Sequence, residues 1–173
     1  KIFIMLPLIS VIGGTGAEGS GLALRWAFAG YSVCIGSRSL EKALSRVNEL
    51  VTDYPDIANC LIGKDNLSAA EQCDIAVLTV PYSAHQDTLT EMKDCLQGKI
   101  LVDVTVPLKP PSVDRVHLPP GGSAGLEAQS VLGSKVNVVS AFQNISAAHL
   151  KNPHSDIYCD VLVCGNDSSA CEA

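Results

Sequence analysis

The residues best suited to chemistry lie near the start of the chain. Gly13-Gly-Thr-Gly16-Ala-Glu-Gly19-Ser-Gly21 follows an apolar run at Leu8, Ile9, Val11 and Ile12 and precedes a helix-like run from Leu22 to Ala29. Gly14, Gly16 and Gly19 stand in G-x-G-x-x-G register between a strand and a helix. That spacing serves a tight turn, a close backbone approach to a pyrophosphate, and close helix–strand contact. The free N–H groups and positive dipole end of the following helix then favour phosphate. A glycine-rich turn that only packs tightly would share the spacing, so the motif by itself implies no more than a dinucleotide.

The next strand end selects between the two nicotinamide dinucleotides. An NAD site places Asp or Glu about 20 residues past the glycines to accept from the ribose 2′-hydroxyl. This chain reads Gly36-Ser37-Arg38 with Lys42 beyond. A hydroxyl and two cations suit a 2′-phosphate and leave no acceptor for a free hydroxyl. Lys42 also falls in the first turn of a helix, where a cation opposes the dipole by about 0.3–1 kcal/mol and a bound anion would relieve the conflict.

These residues need a frame. Ser39 is a natural N-cap for a helix whose apolar stripe is Leu40, Ala43, Leu44, Val47, Leu50 and Val51. A weaker strand near 58–62 and a short helix near 67–72 follow. Asp74 to Val80 reads as a buried strand stopped by Pro81, followed by a helix over 84–95. Lys99 to Val104 is another strand. Residues 107–121 carry five prolines and read as an irregular loop. A helix over 125–132 and strands over 136–142 and 157–164 complete the pattern. Alternating strands and helices predict an α/β, Rossmann-type doubly wound and mostly parallel sheet with helices on both faces. In such sheets ligands sit at the carboxyl ends of the strands. The end Thr79-Val80-Pro81-Tyr82 is then expected beneath the nicotinamide half of a dinucleotide. The ends Thr105-Val106-Pro107-Leu108 and Ala141-Phe142-Gln143-Asn144 are expected to face a second substrate.

Composition narrows the classes. The 173 residues are 47% hydrophobic and 17% charged with a net charge of −6, which suits one globular domain and argues against nucleic-acid binding. Seven scattered cysteines without a C-x-x-C read as reduced thiols in a cytoplasmic protein. No run approaches the roughly 20 apolar residues of a membrane span. Lys1 with Ile-Phe-Ile-Met-Leu has the look of a signal peptide. Pro7 interrupts it and no small-residue cleavage site precedes the glycines, so it is read as part of the first strand.

On these stretches the chain resembles the NADPH-dependent reductases of the deazaflavin coenzyme F420. The matching segments are Gly13 to Gly16 with Gly19, Gly21-Leu-Ala-Leu-Arg25, Gly36-Ser-Arg38 with Lys42, and Cys73 to Pro81. Val139-Ser-Ala141 and Asp160 to Gly165 also match. The resemblance implies hydride transfer between C4 of NADP(H) and C5 of coenzyme F420, with no catalytic side chain. Gly14, Thr15, Gly16, Ala17, Glu18 and Gly19 would hold the pyrophosphate, and Ser37, Arg38 and Lys42 the 2′-phosphate. Val80, Pro81, Tyr82, Gln86 and Ala141 would lie along the nicotinamide half. Val106, Pro107, Phe142, Gln143, Asn144 and Ile145 would line the deazaflavin. Two departures stand out. Gln143-Asn144 replaces a His-Thr pair of some relatives. The sequence also stops soon after Cys164, where relatives add a strand and helices that close the deazaflavin pocket and form a homodimer. The expectation is a single NADP-binding domain over 1–173, with a homodimer as a possible assembly, small-molecule coenzymes as partners and neither nucleic acid nor membrane. The alternatives are a reductase of another small acceptor, or a non-catalytic NADPH-binding module.

Other constellations carry less. His149, His154, Cys159 and Cys164 recur every five residues, a spacing that does not converge on a metal, so no metal is expected. His85, after the third strand, is read as a surface histidine at a helix start, with an acid–base role as the alternative. Asp103 falls inside an apolar strand, where a carboxylate must be hydrogen-bonded. It is either structural or orients the loop at Thr105.

Overall fold

A computed structural model describes residues 6–109 and 112–173. Its strands are β1 (Ile9–Ile12), β2 (Val33–Ser37), β3 (Leu61–Asp65), β4 (Ile75–Leu78), β5 (Ile100–Asp103), β6 (Leu108–Lys109), β7 (Ser112–Val116), β8 (Asn137–Ser140) and β9 (Cys164–Gly165). The helices are α1 (Ala17–Phe28), α2 (Leu40–Asp53), α3 (Asn66–Gln72), α4 (Tyr82–Met92), α5 (Ala124–Leu132), α6 (Ala147–Leu150) and α7 (Ser168–Glu172). One sheet runs in the order β3-β2-β1-β4-β5-β8-β9, parallel except for β9. The reversal of order between β1 and β4 makes the crevice in which doubly wound sheets bind dinucleotides.

Alternation along each strand assigns its two faces. Ile12, Cys34, Ala76, Leu78 and Leu101 face a core with Ala69, Leu89, Met92 and Leu132 of α3, α4 and α5. Ile9, Val11, Val33, Ile35 and Val77 face Leu22, Ala23 and Ala27 of α1 and Leu150 of α6. Both faces are apolar, which is why these strands read as continuous hydrophobic runs. The N-cap expected at Ser39 is present, its Oγ accepting from the Lys42 N–H at 3.4 Å. Of the stripe assigned to α2, Ala43 is buried while Leu40 and Leu44 are nearly half exposed.

Two expectations change. Residues 107–121 are not wholly irregular, because β6 and β7 pair as an antiparallel hairpin. Prolines at 107, 110, 111, 119 and 120 bracket β7 (112–116) and mask its short alternation; positions 110 and 111 lie outside the described residues. The strand expected over 157–164 shrinks to the two residues of β9, which pair antiparallel with β8. Tyr158 and Leu162, 94% and 76% exposed, have no neighbouring strand to join. The reading of Ile2 to Met5 as strand falls outside the described residues.

The segment beyond β8 is tied down by one cation. Arg25, in the last turn of α1, donates through Nη2 to the carbonyls of His149 (2.8 Å), Asn152 (2.6 Å) and Ser155 (3.0 Å), and through Nε to that of Leu150 (3.3 Å). This docks α6 so closely on α1 that a Cβ at Gly21 would lie 2.5 Å from the Leu150 Cβ. Gly21→Ala is expected to cost about 1–2 kcal/mol, overpacking outweighing a helix-propensity gain of up to about 1 kcal/mol. Chemical denaturation monitored by circular dichroism checks it.

Candidate dinucleotide site

The turn between β1 and α1 takes its shape from missing side chains. Gly13 sits at φ +72°, a conformation other residues rarely adopt. A Cβ there would stand 2.6 Å from Val80 Cγ1, one at Gly14 2.7 Å from the Val11 carbonyl, and one at Gly19 2.5 Å from Thr79 Oγ1. The turn therefore lies in backbone contact with the end of β4. Gly16 differs: a Cβ there would meet nothing nearer than the Gly13 carbonyl at 3.9 Å. It is the N-cap of α1 and offers no side-chain acceptor to the first-turn N–H groups. That opening, with Thr15 beside it, fits an anion such as a pyrophosphate.

Two polar contacts that sequence reading missed fix the turn from the other side. The Gly14 N–H donates to the Gly36 carbonyl at 2.9 Å. The Gly13 N–H donates to Oδ1 of buried Asn66 at 3.2 Å. Asn66 follows β3 immediately, at a strand carboxyl end, and that position was its available signal.

Arg38 and Lys42 are exposed at the end of β2, and among the described residues neither has a carboxylate within 4 Å. Ser37 is buried, its Oγ accepting from the Ser39 N–H. The carboxylate beside Ser37 in the sheet is Asp65. It is occupied: its two oxygens accept the N–H and hydroxyl of Ser68 at 2.9 and 2.6 Å, which holds it below the usual carboxylate range. No free acceptor for a 2′-hydroxyl is thus offered there among the described residues, whereas two cations are.

Glu18, in the first turn of α1, has the opposite character. Its Oε1 is buried without a partner, and burial raises its pKa. Folding disfavours the ionised form, so this carboxyl opposes stability at neutral pH and ceases to do so as the pH falls through its raised value.

The remaining expected residues divide between two places. Val80 borders the glycine turn and exposed Pro81 follows it, with Val106 and Pro107 half-buried past β5. Gln86 instead lines a cleft between α4 and α5 together with Glu127, to which Tyr82 is bonded. The Tyr82 hydroxyl donates to Glu127 Oε2 at 2.8 Å, a bond that raises the phenol's pKa. Ala141 is buried, and the Phe142 ring packs edge-on against Trp26, centroids 5.9 Å apart. Gln143 Nε2 donates to the Asp103 carbonyl and Asn144 Nδ2 to that of Asp160, each at 2.7 Å. Ile145 is half-buried and closes the turn through its N–H to the Phe142 carbonyl.

His85 is a correction. It is not a surface residue but 2% exposed, its Nε2 2.9 Å from Oδ2 of Asp103, which is fully buried. It lies on the buried stripe of α4 with Thr88, Leu89 and Met92, at i, i+3, i+4 and i+7. Asp103 does meet the Thr105 loop, Oδ1 accepting from its N–H at 2.9 Å. Among the described residues no three His, Cys, Asp or Glu side chains gather around a possible metal position.

Strand order, the glycine turn at the switch point and the open N-terminus of α1 together define a Rossmann-type dinucleotide-binding domain. Comparison with known proteins makes the assignment particular. Residues 8–107 match the family described as NADP oxidoreductase coenzyme F420-dependent, and the chain belongs to it. It is 40% identical over 167 residues to the F420-dependent NADP reductase of Methanocaldococcus jannaschii, covering 94% of this chain and 74% of that one. The reductase of the same name from Methanothermobacter marburgensis is 38% identical over 168 residues, with the same coverage. A crystal structure described as an F420-dependent NADP-reductase of Arthrobacter sp. FB24 superposes with a TM-score of 0.77 at 26% identity, over 95% of this chain and 76% of that one.

Two outcomes are expected from this geometry. Arg38→Ala or Lys42→Ala weakens NADPH binding about tenfold or more while leaving NADH nearly unchanged, since each charge-assisted bond contributes roughly 1.5–3 kcal/mol. Fluorescence titration with both cofactors decides it, and equal losses would refute the assignment. A pyrophosphate beside Glu18 disfavours its ionisation further, so NADPH affinity should fall as the pH rises through the raised Glu18 value, and more steeply in the parent than in Glu18→Gln. Parallel pH profiles would remove Glu18 from the site.

Proposed function

We propose that this protein is an oxidoreductase passing a hydride between NADP(H) and the deazaflavin coenzyme F420. The observation that carries the reading is the contact of the glycine turn with the end of β4. It sets an anion-binding helix terminus and two uncommitted cations beside the strand ends from which the second substrate is approached. The coenzymes supply the chemistry when bound: a hydride passes from C4 of the nicotinamide to C5 of the deazaflavin or back, with one proton exchanged with solvent for balance.

The protein's own part is positional. The first-turn N–H groups of α1 hold the pyrophosphate, and Arg38 and Lys42 hold the 2′-phosphate. Val80 and Pro81 form a floor for the nicotinamide, and Val106 and Pro107 an apolar edge for the deazaflavin. Ordering two rings against each other in a site shielded from water removes entropy from the barrier, and no nucleophile is required. Gln143 and Asn144 each retain one amide N–H beyond the bond it already makes, available to a ring carbonyl. The seven cysteines are all free, which supports a reducing, cytoplasmic setting. Among the described residues no helix is long and apolar enough to cross a membrane.

The test mixes purified protein with NADPH and oxidised deazaflavin and follows loss of the deazaflavin's visible absorbance. Turnover is expected. Tight NADPH binding without turnover would identify a binding module instead, and turnover only with another acceptor would replace the second substrate.

A further inference from the structure

Asp103 collects more of the site than any other residue. Its side chain is fully buried at the carboxyl end of β5. Oδ2 faces Nε2 of His85 of α4 at 2.9 Å, one hydrogen bond joining two buried side chains. Oδ1 accepts the Thr105 N–H and thereby bends the chain into Val106 and Pro107. Its carbonyl accepts twice from the segment after β8, from the Ala141 N–H at 3.3 Å and Gln143 Nε2 at 2.7 Å.

Those two bonds bracket Phe142, the one non-glycine residue with positive φ among the described residues, at +69°. An aromatic residue in this conformation is strained and persists only where its surroundings over-determine it. Here the surroundings are the single carbonyl of Asp103 on either side and Trp26 against the ring.

We propose that Asp103, clamped by His85, is the positioning residue of the second-substrate half of the site. It locks the β5 loop and the strained turn at Phe142 in one relative arrangement. Neither Asp103 nor His85 need touch a substrate; both act through Thr105 and Gln143. The dinucleotide half stands apart, because the glycine turn is fixed by Val80, Gly36 and Asn66 instead. The inference rests on the proposed function only for the identity of the second substrate.

The test compares Asp103→Leu, which removes both side-chain acceptors and so the anchoring of the main-chain carbonyl, with Asp103→Asn, which keeps an acceptor for Thr105 and can still bond His85. Amide hydrogen exchange is read over 104–108, 140–146 and 11–20. For Asp103→Leu, faster exchange is expected in the first two segments together and not in the third. NADPH affinity should stay within about twofold, while KM for the deazaflavin rises tenfold or more. Asp103→Asn should recover most of both changes. Should Asp103→Leu not fold, Gln143→Leu carries the test, since Gln143 is exposed: faster exchange over 140–146 is expected. Exchange unchanged in either variant, or raised equally over 11–20, overturns the proposal. If the parent protein turned over no deazaflavin, the proposed function would fail while the exchange measurement still decided the role of Asp103.

Discussion

The carboxyl edge of this sheet depends on one close contact, the glycine backbone of the turn from β1 into α1 lying directly against Thr79 and Val80 just past β4. Gly13 and Gly19 allow it, and the same turn is bonded backward to the carbonyl of Gly36 at the end of β2 and to Asn66 after β3. Four strand ends are therefore indexed to one short loop. The expected phosphate, 2′-phosphate and nicotinamide positions then hold fixed separations through backbone contacts, independently of the flexible side chains that decorate them.

Charge is arranged locally rather than globally. The chain carries a net charge of −6, yet the end of β2 shows two cations with no carboxylate in reach among the described residues, and the nearby Asp65 is spent capping α3. An acidic surface with a small cationic recess repels polyanions at long range and still accepts one phosphate at contact. Glu18 sits awkwardly in this scheme, a half-buried carboxylate at the helix terminus expected to receive the pyrophosphate.

Much of the architecture was legible in the sequence where local and global preferences agree. Buried parallel strands read as apolar runs, Ser39 capped the helix it was expected to cap, and Gly30 ended α1 at φ +90°. The misreadings arise where a partner decides. The 157–164 segment has strand composition, but a strand needs a neighbour and only Cys164 and Gly165 find one. The β6–β7 hairpin was hidden by proline density. His85 was misplaced although Thr88, Leu89 and Met92 share its stripe, because a histidine on a buried face requires a buried acceptor. Asp103 was recognised as needing a partner, but the pairing of two residues 18 positions apart is set by the packing of α4 on β5 and is written in neither one.

The guanidinium of Arg25 replaces a strand. Residues 149–155 belong to no sheet and bury few side chains, so four carbonyls converging on one cation do the ordering that a ladder of backbone bonds does elsewhere. Such an attachment is released all at once. Loss of that one side chain, or competition from guanidinium in solution, would free these carbonyls and leave Leu150, buried against α1, as the apolar anchor of the segment.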